Sequence, residues 1–380
     1  MKKINIMYLY SSKGFGGIVQ NLSLLANNLD IESFNVIVVS LTNKSDEGSD
    51  IHLKEKSRAI FHRIDETGKL DLRSLFEIKE LITRYRIDIL SCHGYKADLC
   101  GLLLSKFYRC NVRLVAMAHG WVTPGLKFRI YYLLDKLILR YFDRIILVAD
   151  GLLDELKGFA ISPDKTVVIH NAIDTDVLEK KGDRNALRKV LNLGREDLVI
   201  GFIGRLSKEK SIDTVLFAVK KTLVSLKDVK FLIVGEGSQK DSLLNIAEKL
   251  GINDRIIFAG YQKEVEGIYG VLDLYVSASL KEGLPNSILE AQAMGVPCIV
   301  TDISGNNDII KNGVNGYLIK PGDHETLSRK IVALLEDKDL AGRFTVEGKR
   351  IVKQKFSLTE RIGKLEDLYR ELMASIGVKS

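Results

Sequence analysis

Short apolar runs rich in β-branched residues alternate along the whole chain with stretches whose apolar residues recur at helical spacing. Strands covered on both faces read as unbroken apolar runs, and they occur where helices pack on either side of a parallel sheet. The pattern therefore predicts an α/β chain. In the first half the expected strands are residues 4–10, 35–40, 59–63, 87–92, 113–118, 144–148 and 166–169, with helices between them such as 72–85 and 127–141. A polar, charged stretch over 179–197 holds no convincing strand. The alternation then restarts with 198–203, 230–234, 256–259, 274–277 and 298–301.

The chain has 380 residues, and a domain usually takes about 100–200. The interruption near residue 180 therefore separates two expected domains, 1–180 and 181–355, each a Rossmann-like doubly wound sheet. Residues 356–372 carry apolar side chains at helical spacing and read as a last helix that either domain would accept. A composition of 46% hydrophobic and 28% charged residues excludes disorder. The start, MKKINIMYLY, has the lysines of a signal peptide, but it turns polar at Ser11-Ser12-Lys13 with no cleavage site, so it reads as a buried strand. No apolar stretch reaches the roughly 18 residues of a membrane span, and a cytoplasmic protein is expected. Cys92, Cys100, Cys110 and Cys298 show no C-x-x-C spacing and read as reduced, mostly buried thiols.

Charge changes the picture in one place. From Lys96 to Arg144 nine basic residues stand against Asp98, Asp135 and Asp143, a net of +6 within a chain total of +7. Such a patch fits nucleic acid, anionic lipid or a solvated face.

In doubly wound sheets ligands bind beyond the carboxyl ends of the strands. Two facing domains of this kind would turn those ends toward a shared crevice, so candidate chemistry is sought just after strands. The strand 198–203 runs into Gly204-Arg205-Leu206-Ser207-Lys208-Glu209-Lys210, followed by an apolar helix over 212–224 with Ser207 as its expected N-cap. Lysines in a first helical turn oppose the macrodipole unless an anion lies nearby. A phosphate would supply one. Gly204 would admit it to the backbone, with Arg205 as a planar fork and Lys210 as a point charge. The competing reading is a solvated basic turn.

A second element is Glu282-Gly283-Leu284-Pro285, leading into a helix that Pro285 starts and Gly295 ends. Glu282 then lies in the loop and Glu290 on the second turn. The first-turn amides of Asn286, Ser287 and Ile288 form an anion site, and a carboxylate can grip sugar hydroxyls. The competing reading has Glu282 only capping the helix and Glu290 pairing with a surface lysine.

Gly14-Phe15-Gly16-Gly17 follows the first strand, where glycines admit a phosphate. It lacks the G-x-G-x-x-G spacing of a dinucleotide site, and no G-x-x-x-x-G-K-[ST] occurs. His93-Gly94 and His119-Gly120 each stand at a strand's carboxyl end. No H-x-x-H or H-E-x-x-H suggests zinc, and Asp174-Thr175-Asp176 and Asp337-Lys338-Asp339 read as caps and surface charge.

The ordered set Gly16-Gly17, His119-Gly120, Val168-Ile169-His170-Asn171-Ala172-Ile173-Asp174, Gly204-Arg205-Leu206 with Lys210, Val234-Gly235-Glu236-Gly237, and Glu282 with Glu290 resembles the family-4 glycosyltransferases of GT-B fold. The resemblance runs over nearly the whole chain. It implies retaining transfer of a hexose-type sugar from a nucleoside-diphosphate sugar, with no metal ion and no cofactor, to a saccharide or lipid-linked hydroxyl acceptor. Arg205 and Lys210 would then neutralise the leaving diphosphate. Glu282 and the amides after Pro285 would hold sugar and phosphate, Glu290 the ribose, Gly16, Gly17 and Gly204 the donor phosphate. His119 would contact the reacting sugar, with His93 and Lys96 on the acceptor side. The segment 356–380 would cross back to the first domain.

Ala149, Ser304-Gly305 and Asp308 depart from the residues frequent in that family. A catalytically silent nucleotide-sugar-binding scaffold is the rival reading; retention of every charged member of the set argues against it. The resemblance also implies polysaccharide or lipopolysaccharide assembly, with no nucleic-acid partner. The basic segment 121–144, with Trp121, Phe128, Tyr131, Tyr132 and several leucines, is then a candidate for peripheral contact with the inner face of a membrane. Its alternative is a core-facing helix with solvated charges.

Overall fold

The computed structural model describes residues 3–11, 17–42, 51, 53–54, 57–66, 71–122, 125–175 and 183–375. The chain divides into two compact units, 1–172 with 358–380, and 173–357. The division lies at 172/173 and 357/358, where the sequence suggested 180/181 and 355/356. Backbone pairing sets it: Ile173 N donates to Phe356 O at 3.2 Å and Ile173 bridges to Ser357, so both crossing segments are held in the second unit.

In the first unit β1 (Ile4–Tyr10), β2 (Phe34–Thr42), β3 (Ile60–Asp65), β4 (Ile89–His93), β5 (Arg113–Ala118), β6 (Arg144–Leu147) and β7 (Thr166–Val168) form a sheet of order β3-β2-β1-β4-β5-β6-β7. Every pairing in it is parallel. In the second unit β8 (Leu198–Ile203), β9 (Val229–Val234), β10 (Ile256–Gly260), β11 (Leu274–Ser277), β12 (Cys298–Thr301) and β13 (Tyr317–Ile319) take the order β10-β9-β8-β11-β12-β13, again parallel throughout. Each sheet starts in its middle, winds outward, then reverses. The reversal, between β1 and β4 and between β8 and β11, opens a crevice at the strand ends of each unit.

All the expected strands are present, and β13 is added at an edge. It is three residues long and half-buried, too short and too wet to show as an apolar run. The second unit's core joins Phe202, Phe231, Ile233 and Val276 of the strands to Val215, Leu327, Ile331 and Phe344 of the helices. In the first unit, α1 (Gly17–Asn28), α2 (Leu72–Arg84), α3 (Tyr95–Lys106) and α4 (Leu126–Ile138) accompany the sheet. The C-terminal helix Leu358–Ala374 belongs to this unit and buries Ile362, Leu365, Tyr369 and Leu372 at helical spacing. Tyr369 meets Tyr8 of β1, hydroxyl to hydroxyl at 3.3 Å.

The helix α4 overturns the core-facing reading of its leucines. Leu126, Ile130, Leu133, Leu134 and Leu137 are exposed, while the acidic Asp135 is buried. Asp135 accepts a hydrogen bond from Trp121 Nε1 at 2.8 Å and lies beside the equally buried Asp98 of α3. Burial, then Asp135 as neighbour, pushes the Asp98 carboxyl well up, and burial lifts Asp135 to about 6. Asp98 thus keeps a proton in the folded chain.

A carboxyl whose folded pKa is raised contributes its stability below the unfolded value and loses it as pH rises through the folded one. Replacing Asp98 by Asn mimics the protonated acid and removes that loss. In urea titrations the stability of Asp98→Asn relative to the parent should therefore climb as pH rises from about 4 to 7. Equal pH dependence in the two proteins would contradict a protonated Asp98.

Candidate functional site

The second unit's candidate residues gather on the loops leaving β8 and β11. The β8 loop is laced to the β9 loop: Gly204 N donates to Val234 O at 2.9 Å, Leu206 N to Glu236 O at 2.9 Å, and Gln239 N to Leu206 O at 3.0 Å. A Cβ on Gly235, whose φ is +132°, would lie 2.0 Å from Gly204 O, and one on Gly237 2.3 Å from Leu206 O. The two glycines of Val234-Gly235-Glu236-Gly237 thus allow backbone to touch backbone. That motif supports the loop carrying Arg205 and Lys210.

Ser207 does not cap the following helix. It heads a 3₁₀ turn, Lys208–Lys210, and its hydroxyl donates to Glu209 Oε1 at 2.7 Å. The helix opens at Ile212, after Ser211 turns the chain through a left-handed φ of 47°. Lys208 and Lys210 therefore precede the helix. The anion beside Lys210 is supplied by the protein: Lys210 Nζ donates to Glu282 Oε1 at 2.6 Å. Leu280 N, donating to Glu209 O at 2.8 Å, fastens the same two loops. Arg205 is exposed and makes no ion pair among the described residues.

The helix after Glu282 spans Asn286–Met294, starting one residue later than expected with Pro285 as its N-cap, and Gly295 at φ 76° closes it. The first-turn N–H groups of Asn286, Ser287 and Ile288 lie at its positive end, where Ile288 N also reaches Pro285 O at 3.2 Å. Glu290 is buried and accepts from Tyr269 Oη at 2.8 Å, while Tyr275 Oη donates to Ser287 Oγ at 2.8 Å. Burial holds both phenols above their usual range, so they remain donors. The sequence reading missed this tyrosine pair, because both sit in apolar segments where an aromatic ring signals only core. On the far side, a Cβ at Gly305, φ +84°, would meet Gly283 O at 1.7 Å, so the loop after β12 rests on the Glu282-Gly283 peptide.

The first unit holds a separate cluster. Gly17 opens α1, whereas Gly16 lies outside the described residues. His93 ends β4, and His119 follows β5. His93 Nδ1 and His119 Nε2 are 3.1 Å apart, with the rings stacked at 5.3 Å. Burial pushes both imidazoles down, His119 to about 3, and the Arg361 guanidinium of the C-terminal helix adds to this in each. Both are neutral at physiological pH.

Two expected acceptor-side residues find other partners. His93 is wholly covered, between Tyr8 and Ser91, so it supports His119 and cannot touch an acceptor. Lys96 Nζ is paired with Glu66, itself buried and approached by Ser74 Oγ at 3.3 Å. Of these residues only His119 is part-exposed and unengaged by an acid. The cysteines are free, and burial raises Cys100 and Cys298 to about 12, which keeps them as inert thiols. Asp337 caps the helix Lys338–Lys355 by accepting from Leu340 N at 2.8 Å.

Two family descriptions match the chain in succession: Glycosyltransferase Family 4 over residues 15–177 and Glycosyl transferases group 1 over 183–351. The UDP-Gal:alpha-D-GlcNAc-diphosphoundecaprenol alpha-1,3-galactosyltransferase of Escherichia coli is 27% identical over 320 residues, covering 80% of this chain and 81% of that protein. The N-acetyl-alpha-D-glucosaminyl L-malate synthase of Bacillus anthracis is 27% identical over 311 residues, covering 80% of each. Among solved structures, Anabaena HepE in complex with UDP and glucose superposes with a TM-score of 0.83 at 20% identity, covering 96% of this chain and 99% of that one. Its fold is that of two parallel-sheet α/β domains, the GT-B architecture. The chain belongs to the glycosyltransferases composed of a family 4 and a group 1 domain.

Proposed function

We propose that the chain transfers a hexose-type sugar, with retention, from a nucleoside-diphosphate sugar to a hydroxyl of a saccharide or lipid-linked acceptor during assembly of a surface polysaccharide. The observation that carries this reading is the 2.6 Å Lys210–Glu282 pair, which ties the β8 loop to the loop that leads into the amides opening the helix Asn286–Met294. A cation from the β8 loop, brought against the helix amides and two buried carboxylates of the β11 loop and helix, suits a ligand that is anionic at one end and polyhydroxylated at the other. The named activity of the galactosyltransferase, which uses UDP-Gal and a lipid diphosphate, and the UDP and glucose in HepE support the same class of donor.

In this reading the anomeric carbon's bond to the diphosphate breaks and a bond to the acceptor oxygen forms on the same face. The acceptor's proton passes to the departing phosphate oxygen. Negative charge growing on the diphosphate is met by Arg205, Lys210 and the first-turn amides of Asn286, Ser287 and Ile288, with no metal ion or cofactor required. Gly204, and Gly17 in the first unit, allow backbone to approach phosphate. Glu282 grips sugar hydroxyls while orienting Lys210, Glu290 holds the ribose, and neutral His119 offers a hydrogen bond to the sugar without adding charge.

The direct test is acceptor-dependent release of nucleoside diphosphate from UDP-sugars, with the anomer of the product read by NMR. An inverted anomer would refute retention, and binding of donor with no release would favour the silent scaffold. Arg205→Ala should lower kcat about 10²–10³-fold with the melting curve retained, and Glu282→Ala should lower it as much in a chain that still folds but melts at a lower temperature, because Lys210 loses its partner. Near-normal turnover in both would remove the site assignment. Gly305→Ala should also depress turnover while the fold survives, since the new methyl must push the Glu282-Gly283 peptide aside. Unchanged kinetics would show that this contact does not position Glu282.

A further inference from the structure

The helix α4 is built inside out. At about 100° per residue, Leu126, Ile130, Leu133, Leu134 and Leu137 fall on one face roughly 100° wide, and Tyr141 follows in the 3₁₀ turn Leu139–Tyr141; all are exposed, from 38% at Leu137 to 74% at Leu126. Lys127 borders this face on one side, Arg129 and Arg140 on the other, and all three are exposed. The only acid between Leu126 and Tyr141 is Asp135, which turns inward to Trp121. Tyr141 carries Arg140 at 4.9 Å and Lys106 at 5.7 Å over its ring, so the basic border continues onto the end of α3. An exposed apolar stripe whose bordering charges are all cations is the make-up of a helix that lies in a lipid interface.

We propose that this face of α4 lies flat on an anionic bilayer, its leucines in the acyl boundary and Lys127, Arg129 and Arg140 among the headgroups. Charge selects this occupant. A second copy of the chain docking α4 on α4 would oppose the same three cations across a two-fold axis, an arrangement that repels. Anionic headgroups neutralise them, each basic residue strengthening attachment as it nears the surface. Attachment through such a face is peripheral, and no described helix is long and apolar enough to cross a membrane. The surface belongs to the first unit alone and is independent of whether the chain transfers a sugar.

Co-sedimentation of the full chain with vesicles tests the proposal without reference to turnover. The parent should pellet with phosphatidylglycerol-containing vesicles at low salt and much less with pure phosphatidylcholine or at high salt. Leu133→Ser with Leu134→Ser should weaken partitioning about tenfold or more. Lys127→Glu with Arg129→Glu and Arg140→Glu should weaken it about as much and remove the salt dependence. These side chains are exposed, so circular dichroism should be unchanged in both variants. No pelleting of the folded parent at low salt, or pelleting that the leucine variant retains in full, overturns the proposal. So does a dimer, seen by sedimentation equilibrium without lipid, that the leucine variant dissolves.

Discussion

The Lys210–Glu282 ion pair is the contact on which the second unit's site depends, because it joins the loops leaving β8 and β11, the two strands that flank the reversal of the sheet. Both side chains are largely withdrawn from water, at 21% and 10% exposure. Loss of one partner would strand the other, at a cost of about 3–5 kcal/mol for a buried pair. The pair also changes how charge is shared. Lys210 and Glu282 together are neutral, so the net attraction for an anion falls to Arg205 and the helix amides. Lys210 still has ammonium hydrogens to give, but its main contribution is a cation fixed in place before any ligand arrives.

Around this pair the protein spends glycines and tyrosines. Gly235, Gly237 and Gly305 let neighbouring backbones approach more closely than any side chain permits, and each contact braces a loop that carries a candidate residue. Tyr269 and Tyr275 do the same from below, holding Glu290 and Ser287. A buried carboxylate with a phenol aimed at it is kept as an acceptor in one orientation. The loops thus form a rigid seat on a parallel sheet, which is why the same architecture can serve many sugars by changing what surrounds it.

The sheets were legible in the sequence because parallel strands covered on both faces leave unbroken apolar runs, and β13 escaped because it is a short, wet edge. As candidates, Arg205 and Lys210 stood out by type and position, and Glu282 and Glu290 more through the family resemblance. Their partners did not. Ser207 looked like a helix cap because a serine before a charged turn carries the same signal for a 3₁₀ turn as for an α-helix. Glycine contacts such as Gly305 on Gly283 depend on residues distant in sequence, and spacing alone does not reveal them. His93 and Lys96 sit at a strand's carboxyl end yet are committed to His119 and Glu66, since position at a sheet edge does not say which side chains the neighbouring helices cover. The outward turn of α4 was illegible for a related reason: periodicity fixes which residues share a face, and only packing fixes which face is buried.

Packing also sets the surroundings of Arg361. It is a buried guanidinium, 3% exposed, which donates to Asn21 Oδ1 at 2.6 Å and has no carboxylate partner among the described residues. Burial lowers its pKa to about 10, still well above neutrality, so it stays charged. A cation buried without an acid is costly unless its surroundings accept its hydrogen bonds and exclude other positive charge. The two histidines meet the second condition by remaining neutral. The charge comes from the last helix of the chain and the histidines from β4 and the loop after β5, so the end of the sequence helps to set the protonation of a residue at the strand ends of the first unit. In the reading proposed above, that is what lets His119 meet a developing sugar cation as a neutral hydrogen-bonding group: a protonated imidazole there would oppose the same charge that the transition state builds.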